Sequence, residues 1–267
     1  SARLCRSILC CRLMTDHLIE NRRFWDAYAP EWVERGEAAW RAERPYWGIW
    51  ETPESELGLI PSDLAGRSVV ELGCGTGYVS RWFEQRGAFV TAVDLSSQQL
   101  ATAKRFAAQF QSEVTFIQSN AEATPLPDHC ADLVVSEYGA AIWCDPYRWI
   151  PEAARLLAPG GRLTFLGHSP WSLVCSDNDG EAVSNAMMRS YFELYRIDWT
   201  SAAVDPGGIE FNLPLSKWFQ LFREQGLRVD DYLEIRAPMD RLPDRFSMAW
   251  EWARAYPSEQ VFKLTKV

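Results

Sequence analysis

Three glycines at alternate positions, Gly73, Gly75 and Gly77, follow the apolar run Val69, Val70, Glu71, Leu72 and precede a helix start at Tyr78. Glycine tolerates positive φ and leaves bare backbone open to a ligand. The stretch therefore reads as strand, tight turn and helix, with a cofactor held against the turn amides at the helix N-terminus. A dinucleotide fingerprint spaces its glycines G-x-G-x-x-G, and here the third comes one position early. On this stretch alone, a glycine loop of purely structural use is the alternative. Asp94 ends a second apolar run, where an acid can accept from both hydroxyls of a ribose, in a nicotinamide cofactor as well as in any other nucleoside. Of the three histidines, His17, His129 and His168, only His168 falls at the carboxyl end of an expected sheet strand. It is the candidate general base, with Glu137 and Tyr138 as rivals and a structural role as the bland alternative. Cys74 and Cys144 have no neighbour in sequence that would depress a thiol pKa, so no cysteine is assigned to catalysis.

These residues need a scaffold, and residues 67–168 supply one by alternating strand and helix, with 131–136 and 162–166 reading as buried central strands. Strands are expected at 67–72, 89–93, 114–118, 131–136 and 162–166. Helices are expected at 79–86, at 98–110 with Ser96 or Ser97 as cap, and at 146–157, closed by the turn Pro159, Gly160, Gly161. Alternation of this kind implies a doubly wound parallel sheet, with ligands at the carboxyl ends of the strands. Further on, helices are expected at 215–225 and 246–255 and strands at 227–235 and 260–266. Residues 18–44 read as one helix capped by Asn21, with Phe24, Tyr28 and Trp32 on one face, followed by an aromatic loop at 46–50. Trp25, Trp32, Trp40, Trp47 and Trp50 are more rings than docking a helix requires, and they suggest a lid over an organic substrate. Residues 169–208 break the alternation with another aromatic-rich run. The expected organisation is a tail at 1–13, an N-terminal helical cap at 14–59, a cofactor-binding core at 60–168, an inserted cap at 169–208 and the rest of the core sheet at 209–267.

The segment Glu71 to Gly77 resembles motif I of class I S-adenosylmethionine-dependent methyltransferases. Two further stretches carry the same resemblance at the same spacing. Ser119 to Asp128 matches the stretch where an acid and an alanine flank the adenine, with Asn120 in the usual Asp position, and Glu152 to Leu163 matches the helix, P-G-G turn and fifth strand. The likeness covers residues 60–168 firmly and the rest loosely, nearest to the type-11, quinone-biosynthesis-like branch. It implies a Rossmann-like, doubly wound α/β sheet of seven strands, mostly parallel with an antiparallel last strand, plus an aromatic-rich cap. It also implies S-adenosylmethionine as cofactor. Glu71 and the turn Gly73, Cys74, Gly75, Gly77 would hold the methionine end, Asp94 the ribose, and Leu95, Asn120 and Ala121 the adenine, with Glu122 and Glu137 as further cofactor-binding residues. Tyr28 and Trp32 sit where related enzymes close an aromatic over the methionine part. The implied reaction is methyl transfer to a small aromatic or heterocyclic acceptor, at oxygen first and sulfur a close second. A nicotinamide-dependent oxidoreductase, which would have a parallel last strand, and a non-catalytic cofactor-binding protein are the alternatives.

The 267 residues suffice for one large α/β domain with insertions. A net charge of −9 and a pI near 5.0 disfavour a nucleic-acid groove or an anionic membrane surface, and point to a small-molecule partner, with the protein a monomer or homodimer. Seven cysteines without a C-x-x-C pair form neither a disulfide framework nor a zinc pattern, so no metal is expected and a cytoplasmic location is. Residues 1–13 carry Arg3, Arg6 and Arg12 and no acid. They read as a leader or a non-native tail, with Met14 at or near the native start and a targeting segment as the alternative.

Overall fold

The structure is a computed structural model that describes residues 16–267; the expected tail at 1–13 lies outside the described residues. Seven strands form the central sheet: β1 Ser68–Leu72, β2 Phe89–Asp94, β3 Thr115–Gln118, β4 Ala131–Glu137, β5 Leu157–His168, β6 Leu227–Ile235 and β7 Glu259–Lys266. Their order is β3-β2-β1-β4-β5-β7-β6. All pairs from β3 to β5 are parallel, and β7 runs antiparallel between β5 and β6. That insertion is the topology the methyltransferase likeness implies, and it overturns the parallel last strand of the oxidoreductase alternative. The central strands are apolar on both faces because helices cover both: Leu133, Val134 and Leu163 have no exposed surface, each burial worth about 1.5–3 kcal/mol.

Helices α3 Tyr78–Glu84, α4 Ser97–Phe110 and α5 Pro146–Leu156 follow β1, β2 and β4 as the alternation requires. Ser96 caps α4, its hydroxyl accepting from Gln99 N at 3.1 Å, and Asp145 caps α5. The remaining helices are α6 Pro170–Cys175, α7 Leu215–Glu224 and α8 Trp250–Ala255. The helix expected over 246–255 starts only at Trp250, because Phe246 and Ser247 adopt positive φ. Within 169–208, α6 is followed by irregular chain and then by strand Arg196–Asp198, which pairs with Ile209–Phe211 in a separate ribbon.

The opening segment differs most from expectation. It is not one helix but α1 Asp16–Tyr28, a 3-10 turn over Ala29–Trp32, and α2 Val33–Arg41. Pro30 causes the break, since it cannot continue the helical hydrogen bonding. Asn21 does not cap. It lies buried inside α1, with Nδ2 donating to the carbonyls of Trp143 and Ile209, both at 2.9 Å, and Oδ1 accepting from Ile209 N at 2.6 Å. Three of the five opening tryptophans are core rather than lid. Trp40 donates to Thr76 O, Trp47 to Glu54 and Trp50 to Ser258, and each is almost fully buried. They fasten the segment onto the sheet and leave Trp25 and Trp32 to face the cavity described next.

Candidate active site

A cavity of about 310 Å³ opens at the carboxyl ends of β1, β2, β4 and β5, roofed by α1, α2 and the chain after β5. Of the residues singled out in the sequence, Tyr28, Trp32, Glu71, Gly73, Cys74, Gly75, Asp94, Leu95, Asn120, Ala121, Glu137, Tyr138 and His168 line it. Gly77 and Glu122 do not. Gly77 caps α3 at φ +80°, where a Cβ would meet the Phe116 ring at 2.9 Å, so its smallness serves helix-to-sheet packing. Glu122 is turned into the protein, where its carboxylate takes His17 Nε2 at 2.6 Å, Asp145 N at 2.9 Å and Arg148 Nε at 2.9 Å. That corner ties α1 to the start of α5 and keeps the carboxylate out of the cavity.

The glycine turn also works differently from the expected amide cradle. Gly73 N and Cys74 N both donate to Val93 O, Gly75 N donates to Asp94 at 2.7 Å, and Gly77 N donates to Cys74 O. The amides hold the turn closed on β2. Gly73 is needed for a close approach: a Cβ there would lie 2.5 Å from Ala140 N, and one on Gly139 would lie 2.1 Å from Gly73 O. Only over Gly75 is the space open, with Gln99 Oε1 at 4.0 Å as the sole neighbour of an added Cβ. Gln99 Oε1 is the side-chain oxygen nearest this space, while Thr76 Oγ1 faces Gly36 of α2. Gln99 Oε1 and Thr76 Oγ1 are buried without a hydrogen-bond partner among the described residues, and both residues line the cavity. Asp94 accepts from Gly75 N and Ser96 N, which leaves lone pairs for two more donors. Asn120 Oδ1 already accepts from Glu122 N at 2.9 Å, so one lone pair and the whole NH₂ group remain.

Glu71 sits at the end of β1, its carboxylate accepting from the backbone N–H of Ser80 at 2.9 Å and from the Ser80 hydroxyl. Burial pushes its pKa to about 8, against the hydrogen bonds from Ser80 and with the charge of Glu137 adding to the rise. A cationic ligand would restore the charged form. Binding of a cation beside Glu71 at pH 7 is therefore expected to release a proton, and affinity should climb with pH up to about 8. Calorimetry with the methionine-bearing cofactor in buffers of different ionisation enthalpy measures this; a binding heat independent of buffer would remove Glu71 from contact with the ligand's cation.

The three candidate bases are not equivalent. Glu137 is held by Gly48 N at 2.8 Å and by the Tyr78 hydroxyl, and Tyr138 donates its hydroxyl to Glu259 at 2.8 Å. Burial first, then the charge of Glu259, drives the Tyr138 pKa well above its usual value, so the phenol stays protonated. His168 is different. Its Nδ1 lies 2.7 Å from Oε1 of Glu210, whose Oε2 accepts from Trp199 Nε1 at 2.9 Å. A carboxylate can only accept, so the proton sits on Nδ1 and Nε2 keeps its lone pair. The Tyr138 ring stands edge-on to the imidazole at 5.0 Å and restricts its rotation. Burial pulls the imidazole pKa down, but the charge and hydrogen bond of Glu210, with Glu259 behind, outweigh it and leave the pKa above the ordinary histidine value. Cys74 and Cys144 have thiols raised well above their usual range by burial, in keeping with no catalytic cysteine.

Around this dyad the wall is aromatic. Trp25 packs edge-on to Trp143 at 5.3 Å, Tyr28 stacks on Phe24 at 5.2 Å and Trp32 stacks on Phe246 at 5.8 Å. The sequence offered no signal for Glu210 or Gln99, each of which reaches the cavity from an element whose local pattern is ordinary.

Residues 70–165 match the family described as Methyltransferase domain. Fold and core segment are those of a class I methyltransferase. The chain is 37% identical over 113 residues to malonyl-[acyl-carrier protein] O-methyltransferase of Pectobacterium atrosepticum, 42% of each protein. It is 33% identical over 123 residues to demethylmenaquinone methyltransferase of Thermus thermophilus, 45% of this chain and 54% of that one. The chain thus spans about half the length of these relatives or less. An S-adenosylmethionine-dependent methyltransferase structure from Mesorhizobium loti superposes with a TM-score of 0.63 at 21% identity, over 79% of this chain and 95% of that one, which carries the fold. That solved structure is described as dependent on S-adenosylmethionine. The open space over Gly75, the unpartnered Gln99 Oε1, and the acids Glu71 and Asp94 suit a nucleoside bearing a cationic tail. Among the described residues no helix is long and apolar enough to cross a membrane.

Proposed function

We propose that the chain transfers a methyl group from S-adenosylmethionine to a small aromatic or heterocyclic acceptor, at oxygen in preference to sulfur. The observation that carries this reading is the His168–Glu210 pair facing an aromatic-walled cavity that also contains the motif I turn. Asp94 and Gln99 would hold the ribose, Leu95, Asn120 and Ala121 the adenine, and Glu71 the ammonium of the methionine part. When bound, the cofactor supplies a methyl group on a sulfonium, whose positive charge disappears as the group is transferred. The rings of Trp25, Tyr28, Trp143 and Trp199 exclude water and fix a flat acceptor, an entropic contribution that can reach several kcal/mol. Neutral His168 takes the proton of the acceptor hydroxyl on Nε2, and Glu210 stabilises the imidazolium that results. A thiol ionises more readily and would leave such a base with little to do, which is why the pair favours oxygen. The Pectobacterium relative's name places its own transfer at oxygen and the Thermus relative's acceptor is a quinone, but neither acceptor carries over from a match of this length.

Calorimetry with S-adenosylhomocysteine and with NAD, followed by methyl transfer across a panel of phenols, heteroaryl alcohols, thiols and amines, tests the reading. Micromolar binding of S-adenosylhomocysteine alone and turnover of hydroxyl acceptors are expected; binding of NAD, or turnover of thiols only, would overturn it. Within this reading, Asp94→Ala should weaken S-adenosylmethionine and S-adenosylhomocysteine equally, by about 1.5–3 kcal/mol, since both present the same ribose to a charged acceptor. Unchanged affinity for both would remove Asp94 from the site.

A further inference from the structure

Acids dominate the charge lining the cavity. Glu71, Asp94, Glu137, Glu181, Asp205 and Glu210 all face it, while Arg35 is the one guanidinium that does. Among the described residues no carboxylate forms an ion pair with Arg35. Its guanidinium carbon instead lies 5.7 Å from the centre of the Trp32 ring and 5.1 Å from that of Phe246, two rings stacked within 3° of parallel. Such contacts hold a guanidinium in place while leaving its N–H groups free to donate.

Position in the fold limits what those donors can meet. Arg35 lies on α2 next to Gly36, and Gly36 packs so closely on the glycine turn that a Cβ there would come within 2.6 Å of Thr76 Oγ1. Trp40, on the same helix, donates to Thr76 O. The helix is therefore clamped to the motif I turn. The charge of Arg35 is felt by Glu137, Tyr78 and Tyr46, the groups around the end of the cavity where Glu71 also lies. An anionic acceptor would meet six carboxylates for one guanidinium. A zwitterion fits better, since its ammonium can satisfy the acids while its carboxylate takes the guanidinium.

We propose that Arg35 binds the α-carboxylate of the cofactor's methionine part, and so makes the site selective for a nucleoside that carries a complete amino acid. This rests on the cofactor reading above, and it adds a cofactor-binding residue on α2, outside the matched domain and three positions beyond Trp32.

The test compares two ligands and three proteins by calorimetry, with a melting curve for each protein. S-adenosylhomocysteine carries the carboxylate; its decarboxylated analogue, in which a 3-aminopropyl thioether replaces homocysteine, lacks only that group. Wild type is expected to prefer S-adenosylhomocysteine by about 10- to 100-fold, the range for a charge-assisted and partly desolvated pair. Arg35→Met, which can still pack against both rings, should erase the preference while leaving the analogue's affinity unchanged. Arg35→Lys should retain part of it. A Met variant that keeps the full preference, or one that loses affinity for both ligands equally, would overturn the assignment. So would a wild type that binds both ligands equally well, with the cofactor reading intact. A wild type that binds neither would overturn both.

Discussion

Replacing Glu210 by glutamine is expected to lower turnover by about 10²- to 10⁴-fold with cofactor affinity unchanged, the range for loss of a positioned base. The reason lies in the two bonds the carboxylate makes. Trp199 Nε1 donates to one oxygen and His168 Nδ1 faces the other, at 2.9 and 2.7 Å. A glutamine that keeps its oxygen on Trp199 must turn its NH₂ toward Nδ1. The imidazole proton is then driven to Nε2, the atom that has to accept the proton of the acceptor. His168→Asn should cost a similar factor, and the double variant little more, because the two residues act as a unit. The pH profile separates this from a structural effect. Since the pKa of His168 is raised, the rising limb of kcat/KM in wild type should lie above the ordinary value of about 6.5 and vanish in His168→Asn. Stability obeys the same linkage. A histidine whose folded pKa is raised contributes stability below its unfolded pKa of about 6.5 and loses it as pH rises through the folded value, so the melting temperature of wild type should fall over that window. Full turnover and an unshifted limb in both variants would remove the dyad from the mechanism and leave positioning and desolvation.

The contrast between Glu210 and His168 shows what could be read from residues alone. His168 follows a recognisable apolar strand, so its place at a carboxyl end was legible. Glu210 lies 42 residues further on, in a three-residue strand after an irregular stretch, and nothing local says that its side chain returns to β5. The sheet was legible for a similar reason: β1, β2, β4 and β5 are runs of buried apolar residues, and α3, α4 and α5 follow β1, β2 and β4, so local pattern determines them. Asn120 and Glu122 show the limit of reading a motif. Their spacing is right, but Glu122 is drawn away by His17, 105 residues earlier, and Asn120 spends one lone pair on the Glu122 amide. Tryptophan count misled in the opening segment because a ring that donates one hydrogen bond from the core looks, in sequence, like a ring that faces a ligand. Trp40 and Trp47 are of the first kind, and Trp25 is of the second.

Asn21 is the other residue whose substitution should have a large effect, and its sequence signal pointed elsewhere. An asparagine near the start of a helical pattern suggests a cap, but this one makes three bonds to chain 122 and 188 residues away. Gly208 leaves room for it: a Cβ there would lie 2.4 Å from Asn21 Oδ1. Asn21→Ala would strip the N–H and carbonyl of Ile209 and the carbonyl of Trp143 of their partner, at about 1–3 kcal/mol for each group that stays buried and unsatisfied. Three such groups amount to about 3–9 kcal/mol, all of it relieved if the groups reach water, so α1 should undock locally while the sheet remains folded. Because α1 carries Phe24, Trp25 and Tyr28, undocking opens the aromatic wall of the cavity. Hydrogen exchange should therefore accelerate in 16–28 and 209–211 with β1, β4 and β5 still protected, and turnover should drop with it. Asn21→Asp is expected to be no milder, since it keeps one acceptor but aims a carboxylate at two carbonyl oxygens. Native-like exchange in α1 of either variant would mean that the aromatic contacts of Trp25 with Trp143, and not Asn21, hold the helix down.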